Sequence, residues 1–197
     1  MKNSGILIDR DGTLCAEVGY LDRVERLRLL PGSAKAIRQA VDAGFLAAVI
    51  TNQSGVARGY FPEERVLQIH ASLRQRLAAA GARLHGIYHC PHHPAAGCEC
   101  RKPKPGMLLR AADDLELDLG RSYMIGDCLS DLDAGLRAGA RPVLVLTGHG
   151  RRERERAHPP VRPAHVAADL RDAVRWILRE ASPRPGATPG RQPGAAP

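Results

Sequence analysis

Short apolar runs alternate with helical segments along most of this sequence, and this alternation limits the possible folds more than any other feature. Five runs end in polar or small residues: 5–8, 46–50, 86–89, 123–125 and 142–146. Apolar runs without apolar–polar alternation are typical of a parallel sheet, because both of its faces are buried. Helical periodicity fills the intervals, at about 33–43, 62–80, 106–115 and 131–138, with Ser33 as the predicted N-cap of the first helix. The alternation predicts an α/β fold with a doubly wound, Rossmann-like parallel sheet flanked by helices.

The rest of the chain defines the limits of the domain. Apolar residues at 170, 174, 177 and 178 predict one closing helix at about 168–180. Residues 182–197 are mostly Pro, Gly, Ala and Arg without periodicity, which predicts a disordered tail. We therefore assign residues 1–181 to one domain, which is an ordinary size for a single core. No separate cap domain is expected, because the intervals between the strands hold only single helices and loops.

The charge and composition restrict the partners. The formal charge of +8 comes almost entirely from arginine, which indicates either arginines spread over the surface or attraction to anionic partners, including nucleic acid. The densest basic stretch, 151–156, is interleaved with glutamates, and aromatic residues for base stacking make up only 4% of the chain. We expect a small phosphorylated molecule as the anionic partner, and no nucleic acid. No run of about 18 apolar residues occurs and no leader precedes the first strand, so we expect a cytoplasmic protein without a membrane span.

Polar residues follow four of the predicted strands, where an α/β sheet of this kind binds its ligands. These residues are Asp9 and Asp11 after the first strand, Thr51 after the second, Lys102 after the third, and Asp127 with Asp131 after the fourth. A pair of acids before a glycine would, on its own, more simply indicate a turn. Two acid pairs, a hydroxyl and an amine at one edge of a sheet suit phosphoryl transfer instead.

These residues also carry a resemblance. The sequence resembles the haloacid dehalogenase superfamily of aspartyl-phosphate enzymes over about residues 4–180, with the four motifs in order. The resemblance implies that Asp9 is the nucleophile and that Asp11 is the general acid and base. It also implies that Thr51 and Lys102 hold the phosphoryl oxygens. Mg²⁺ would be bound by Asp9, the backbone carbonyl of Asp11 and the carboxylate of Asp127, and Asp131 would support Asp127 or Lys102.

A loop rich in cysteine and histidine precedes Lys102. Residues 90–100 contain three of the five cysteines in a Cys-x-His…Cys-x-Cys pattern, the ligand set of a tetrahedral structural zinc. The predicted zinc ligands are Cys90, His92, Cys98 and Cys100. An irregular loop with free thiols is the less favoured alternative, and His92 is preferred over His93 because it occupies the position found in the family. We expect this loop to have no secondary structure of its own and the zinc to set the positions of Arg101 and Lys102.

The loop narrows the resemblance to two groups of phosphatases. These are the D-glycero-D-manno-heptose 1,7-bisphosphate 7-phosphatases and the histidinol-phosphate phosphatases. Segments 19–20, 30–32, 51–61, 90–94 and 100–107 resemble the first group, which implies release of the C7 phosphate to leave heptose 1-phosphate for lipopolysaccharide or other cell-surface polysaccharide synthesis. The implied substrate-binding residues are Glu17, Val18, Gly19, Tyr20, Thr51, Asn52, Gln53, Ser54, Arg101 and Lys102. Arg101 would hold the second, non-reacting phosphate bidentately.

Three alternatives to this function remain open. A histidinol-phosphate phosphatase would use the same chemistry, and a nucleic-acid end phosphatase would use the positive charge. A non-catalytic, zinc-stabilised binding module would not need the whole set of motif residues. The sequence departs from the heptose group at Cys128, where those enzymes often have lysine. A backbone contact there survives the change but a side-chain contact does not, and the thiol could instead pack beneath the site. We expect a monomer, because no second subunit is needed to cover the site.

Overall fold

Six strands and six helices make up the part of the chain that the structure, a computed structural model, describes: residues 2–181. The strands are β1 (Gly5–Ile8), β2 (Leu46–Asn52), β3 (Gly86–Cys90), β4 (Tyr123–Gly126), β5 (Arg141–Val145) and β6 (His165–Ala167). The helices are α1 (Ser33–Asp42), α2 (Glu63–Ala79), α3 (Gly106–Asp114), α4 (Leu129–Ala138), α5 (Gly150–Arg156) and α6 (Leu170–Ala181). The tail predicted at 182–197 lies outside the described residues.

The strands form one parallel sheet in the order β3-β2-β1-β4-β5-β6. The chain starts at the centre, at β1, winds outward to β3 and returns past β1 to β4. The predicted doubly wound α/β fold is confirmed, and no separate cap domain is inserted within residues 2–181. Across the same residues, no helix combines the length and the apolar character needed to cross a membrane.

Each face of the sheet has its own core. Ile6 and Ile8 of β1 lie in a large apolar cluster with residues of α1, α2 and α6. Leu7, between them, faces a smaller cluster that includes residues of α3 and α4. All four residues of β1 are buried, which explains why this run is apolar without alternation.

Two helices begin at positions that differ from the prediction. Gly32, at a φ of 80°, is the N-cap of α1, so the prediction of Ser33 as N-cap is wrong by one residue. The left-handed backbone at that position favours glycine. Helix α4 begins at Leu129 rather than at Asp131, with Cys128 as its N-cap. The Asp131 carboxylate accepts the Cys128 backbone N–H at 3.0 Å and so fixes the start of this helix.

Five short elements were not predicted, two of them the 3-10 turns Val24–Arg26 and Leu119–Arg121. Strand β6 has three residues, which is too few for a periodic pattern. Helix α5 is arginine-rich and buries only Gly150 and Glu153, so it has no apolar stripe. A 3-10 turn, Pro94–Ala96, lies inside the Cys/His loop of residues 90–100, and the His93 side chain accepts the Ala95 N–H at its start. The expectation that this loop has no secondary structure is therefore wrong.

Candidate active site

The carboxyl ends of β1, β2 and β4 meet around a cavity of about 200 Å³. The predicted site residues that line it are Asp9, Asp11, Glu17, Gly19, Thr51, Asn52, Lys102, Asp127 and Asp131. The predicted residues that do not line it are Val18, Tyr20, Gln53, Ser54 and Arg101. A larger, open cleft of about 790 Å³ lies beside β3 between α2 and α3, but none of the motif acids lines it. The smaller cavity is therefore the candidate active site.

The ammonium group of Lys102 lies at the centre of this site. Its Nζ is 2.6 Å from Asp9 Oδ1 and 2.7 Å from Asp131 Oδ1, and it donates to the Ile50 carbonyl at 2.6 Å. Burial works to lower the pKa of Lys102, but the carboxylates of Asp131 and Asp9 together raise it above its ordinary value. The lysine is therefore charged, and it fixes one oxygen of Asp9.

The site contains more buried acids than this one cation balances. Asp9, Asp127 and Asp131 are each at most 8% exposed. Burial, the largest influence, raises the pKa of Asp9, and Lys102 opposes that shift. Burial, followed by the charge of Asp131, raises the pKa of Asp127 to about 6. A divalent cation with oxygen ligands would offset such a surplus of buried negative charge.

Asp127 is the acid best placed to bind a metal. Its Oδ2 accepts the His149 backbone N–H at 2.7 Å. Its Oδ1 is buried without a hydrogen-bond partner among the described residues, which leaves a lone pair for a ligand. A Cβ at Gly12, whose φ is 84°, would collide with this carboxylate, and so would a Cβ at Gly148. Mg²⁺ fits these surroundings, because Asp9 and Asp11 line the same cavity and carry further oxygen ligands.

The side chain of Asp11 is held from the side opposite to solvent. The Arg10 Nη2 atom donates to Asp11 Oδ2 at 2.7 Å, and Gln53 Nε2 donates to the same oxygen at 3.0 Å. The Gln53 amide also donates to Thr51 Oγ1 at 2.8 Å. These contacts connect the predicted general acid to the predicted phosphate-binding hydroxyl.

The backbone of Lys102 is fixed by a side chain at the end of β2. Asn52 Oδ1 accepts the Lys102 N–H, and Asn52 Nδ2 donates to the Lys102 carbonyl, both at 3.1 Å. The pairing is independent of the contacts at Nζ. Asn52, which is predicted to bind substrate, therefore also anchors the segment that carries Lys102.

The four predicted zinc ligands come together in the Cys/His loop. Their ligand atoms all lie within 4.8 Å of one another. The sulfur of Cys100 is 3.1 Å from that of Cys90, 3.5 Å from that of Cys98 and 3.3 Å from His92 Nδ1. Ligands at about 2.3 Å from a tetrahedral zinc stand roughly 3.8 Å apart, so a small expansion would admit the ion. His93 caps the 3-10 turn instead, which agrees with the choice of His92.

Two of the predicted pocket residues that do not line the cavity, Tyr20 and Arg101, have other surroundings. Tyr20 is 41% exposed and packs edge-on against Tyr60, with ring centroids 4.7 Å apart. The Arg101 Nη1 atom is buried and has no hydrogen-bond partner among the described residues. A buried guanidinium nitrogen without a hydrogen-bond partner could donate to an anionic group of the substrate.

Three residues that matter here had no predicted role. Ser130 and His149 line the cavity, and His149 follows β5, so the strand-end argument extended to the fifth strand would have found it. Arg10 is fully buried and contacts Asp11 through three N···O pairs. Its position between Asp9 and Asp11 was visible in the sequence, but its burial was not.

Comparisons with known proteins agree with this geometry. A family description of HAD-hydrolase-like proteins matches residues 99–173. A D-glycero-D-manno-heptose-1,7-bisphosphate 7-phosphatase of Thermosynechococcus vestitus is 42% identical over 196 residues, which cover 93% of this chain and 100% of that protein. A D-glycero-beta-D-manno-heptose-1,7-bisphosphate 7-phosphatase of Pseudomonas putida is 44% identical over 155 residues, 78% of this chain and 89% of that protein. The crystal structure of D,D-heptose 1,7-bisphosphate phosphatase from B. bronchiseptica, complexed with magnesium and phosphate, matches at a TM-score of 0.84 and 36% identity, covering 90% of this chain and 99% of that chain.

Proposed function

Because the chain belongs to the heptose 1,7-bisphosphate 7-phosphatase family of HAD-like hydrolases, we propose that it releases the C7 phosphate of D-glycero-D-manno-heptose 1,7-bisphosphate. The product is heptose 1-phosphate, a precursor for lipopolysaccharide or other cell-surface polysaccharide. One observation carries the proposal: the motif acids and Lys102 lie around a single cavity. They do so in a chain that matches a protein of that activity along 93% of its length.

The reaction begins at Asp9. Lys102 holds Oδ1, so the other carboxylate oxygen attacks the phosphorus. The bond from phosphorus to the C7 oxygen breaks as the aspartyl phosphate forms, and Asp11 gives its proton to that oxygen. Asp11 then takes a proton from the water that hydrolyses the aspartyl phosphate, which restores both residues and releases inorganic phosphate.

The surrounding groups stabilise the charge that develops on the phosphoryl oxygens. Thr51 Oγ1 and Lys102 Nζ lie at the cavity and are fixed before substrate binds, which lowers the cost of reorganisation. Asp131 holds the Lys102 ammonium group in place. When bound by Asp9, Asp127 and the Asp11 carbonyl, Mg²⁺ would offset the repulsion between the nucleophile and the phosphate dianion. The magnesium and phosphate in the B. bronchiseptica structure support this assignment.

We assign a structural zinc to Cys90, His92, Cys98 and Cys100. A closed site with four protein ligands has no open position for catalysis, so this ion would stabilise the loop. The loop leads directly into Arg101 and Lys102. The free state of all five cysteines supports the assignment, because zinc binds thiolates and not disulfides.

The remaining contacts concern the second phosphate and the setting of the reaction. Arg101 would hold the non-reacting phosphate at C1, and its buried, unpaired Nη1 supports this role. Glu17, Val18, Gly19, Tyr20 and Ser54 would contact the sugar. We also propose a monomer, because no second subunit is needed to complete the set of motif residues around the cavity, and a cytoplasmic location.

The test is a comparison of substrates. Purified protein with Mg²⁺ is offered heptose 1,7-bisphosphate, histidinol phosphate and a 3′-phosphorylated oligonucleotide, and phosphate release is followed. We expect turnover of the heptose bisphosphate, with heptose 1-phosphate as the product. Turnover of histidinol phosphate alone would refute the proposal. Asp9→Asn is the control for the mechanism: it should abolish turnover, and an active variant would sink the role of Asp9.

A further inference from the structure

Arg10 is an unusual residue for the interior of this protein. It is 0% exposed and is not among the residues that line the cavity. A buried guanidinium is costly unless its donors are matched by acceptors. The partners of Arg10 therefore indicate its role.

Those partners divide the two oxygens of Asp11 unequally. Asp11 Oδ2 accepts from Arg10 Nη2 at 2.7 Å and from Gln53 Nε2 at 3.0 Å, and it shares the single Arg10 Nε–H, at 3.1 Å, with Oδ1. Asp11 Oδ1 receives only Arg10 Nε, at 3.0 Å. A carboxylate has about four lone-pair positions, so Oδ2 is saturated and Oδ1 is not. The carboxyl group is thereby oriented.

The guanidinium is itself fixed from two sides. Its Nη2 donates to Gln53 Oε1 at 2.9 Å, and its Nη1 lies 3.3 Å from His70 Nε2. Because a guanidinium only donates, His70 Nε2 must accept, and the imidazole is neutral with its proton on Nδ1. Burial, with the charge of Arg10 beside it, lowers the pKa of His70 to about 3, so this acceptor persists at neutral pH.

We propose that Arg10 and His70 position the general acid, by saturating Asp11 Oδ2 so that Oδ1 carries the proton exchanged at the leaving oxygen. In the first step the Oδ1–H bond breaks as the phosphorus–oxygen bond breaks, and the proton ends on the leaving alcohol. Neither residue lines the cavity and both act through Asp11, so both are positioning residues. The inference rests on the proposed aspartyl-phosphate chemistry but not on the identity of the alcohol.

Substrates with different leaving groups distinguish positioning of the general acid from a merely structural role of Arg10. A sugar alkoxide needs the proton of Asp11, whereas p-nitrophenolate leaves as a stable anion without it. Arg10→Lys keeps the charge but loses the planar fork. We expect kcat for a sugar phosphate to fall roughly 10–100-fold, within the range typical for lost acid catalysis, with KM within about two-fold of wild type. With p-nitrophenyl phosphate as the substrate, the first-turnover burst of p-nitrophenolate should have the same rate in Arg10→Lys as in wild type.

A pair of variants at His70 tests the same idea without changing Arg10. His70→Gln keeps an acceptor for Nη1 and should keep kcat for the sugar phosphate, whereas His70→Leu removes the acceptor and should lower it by about ten-fold. Asp11→Asn gives the reference for complete loss of the acid. Arg137→Lys, on the exposed face of α4 and paired with Asp133, is the matched control and should leave both rates unchanged.

Any of three results would overturn the inference. One is a p-nitrophenolate burst that slows as much as sugar phosphate turnover, which would place the damage at Asp9. The others are an unchanged kcat in Arg10→Lys and equal rates in the two His70 variants. If Arg10→Lys does not fold, the His70 pair decides. The proposed substrate and the positioning role can fail separately. If wild type does not hydrolyse the heptose bisphosphate, the proposed substrate is wrong. If the variants still slow turnover of another alkyl phosphate without slowing the p-nitrophenolate burst, the positioning role stands.

Discussion

The replacement Lys102→Met tests whether the buried charges of the site are as unbalanced as the structure indicates. Lys102 Nζ lies 2.6 Å from Asp9 Oδ1 and 2.7 Å from Asp131 Oδ1, and all three side chains are at most 11% exposed. Methionine fills similar space but removes the charge. Breaking a buried ion pair by deleting one partner typically costs about 3–5 kcal/mol, and here two carboxylates lose their partner.

That cost should depend on pH, because a carboxylate without a partner can take up a proton. Burial already raises the pKa of Asp9, and Lys102 is the main opposing influence, so its removal raises the folded-state pKa further. A group with a raised folded pKa gives stability at low pH that is lost as pH rises from the unfolded to the folded value. We expect a loss of about 3–5 kcal/mol at pH 8 and a smaller loss at pH 5.5, with a slope of up to about 1.4 kcal/mol per pH unit.

Urea denaturation of zinc-loaded protein at the two pH values, without added magnesium, measures this loss. Lys104→Met is the matched control, because Lys104 is 38% exposed and pairs with the exposed Glu99. Its loss should stay within about 1 kcal/mol at both pH values. An equal loss for Lys102→Met at both pH values would refute the reasoning, since it would show that the carboxylates do not take up protons. A loss below about 1 kcal/mol would show that Lys102 does not form buried ion pairs with Asp9 and Asp131.

Three further predictions concern other parts of the site. Gly12→Ala places a Cβ against Asp127 at a φ of 84°, so urea denaturation should show a loss of at least about 1–3 kcal/mol, and the magnesium concentration for half-maximal activity should rise. Because the pKa of His70 falls to about 3 in the folded state, wild type should lose stability as pH falls below about 6.5, by up to roughly 1.4 kcal/mol per pH unit. In urea titrations His70→Gln should lack this component. Cys98→Ser should lower the zinc content measured by mass spectrometry, lower the melting temperature and reduce kcat through the loop that carries Lys102.

The strands could be predicted because burial on both faces leaves a direct trace in the sequence. Strands β1 to β4 lie within two residues of their predicted ends, and β5 within one. Strand β6 and helix α5 left no such trace, since one is three residues long and the other buries only Gly150 and Glu153. The start of α4 was misplaced because its cap is a cysteine, which is an uncommon N-cap residue.

The site was predictable where residue type alone indicates the chemistry. Acids at strand ends and a Cys/His cluster have few other uses. In the structure the acids lie around one cavity, and the four Cys/His ligands lie close together in their own loop. The burial of Arg10 was not predictable, because it depends on Gln53 and His70, which lie 43 and 60 residues away in the sequence. Partners at that distance become visible only when α2 packs on the sheet.

The carboxyl end of β2 organises the whole reaction centre through four consecutive residues. The Ile50 carbonyl accepts from Lys102 Nζ, and the Asn52 amide holds the Lys102 backbone. Thr51 faces the cavity, and Gln53 connects its hydroxyl to Asp11. Alternate residues of a strand point to opposite faces. One strand end can therefore hold Lys102 with residues of one face and Asp11 with residues of the other. The geometry of acid, hydroxyl and amine therefore depends on the register of β2 against β1, and any change that shifts this register by one residue should remove all three functions at once.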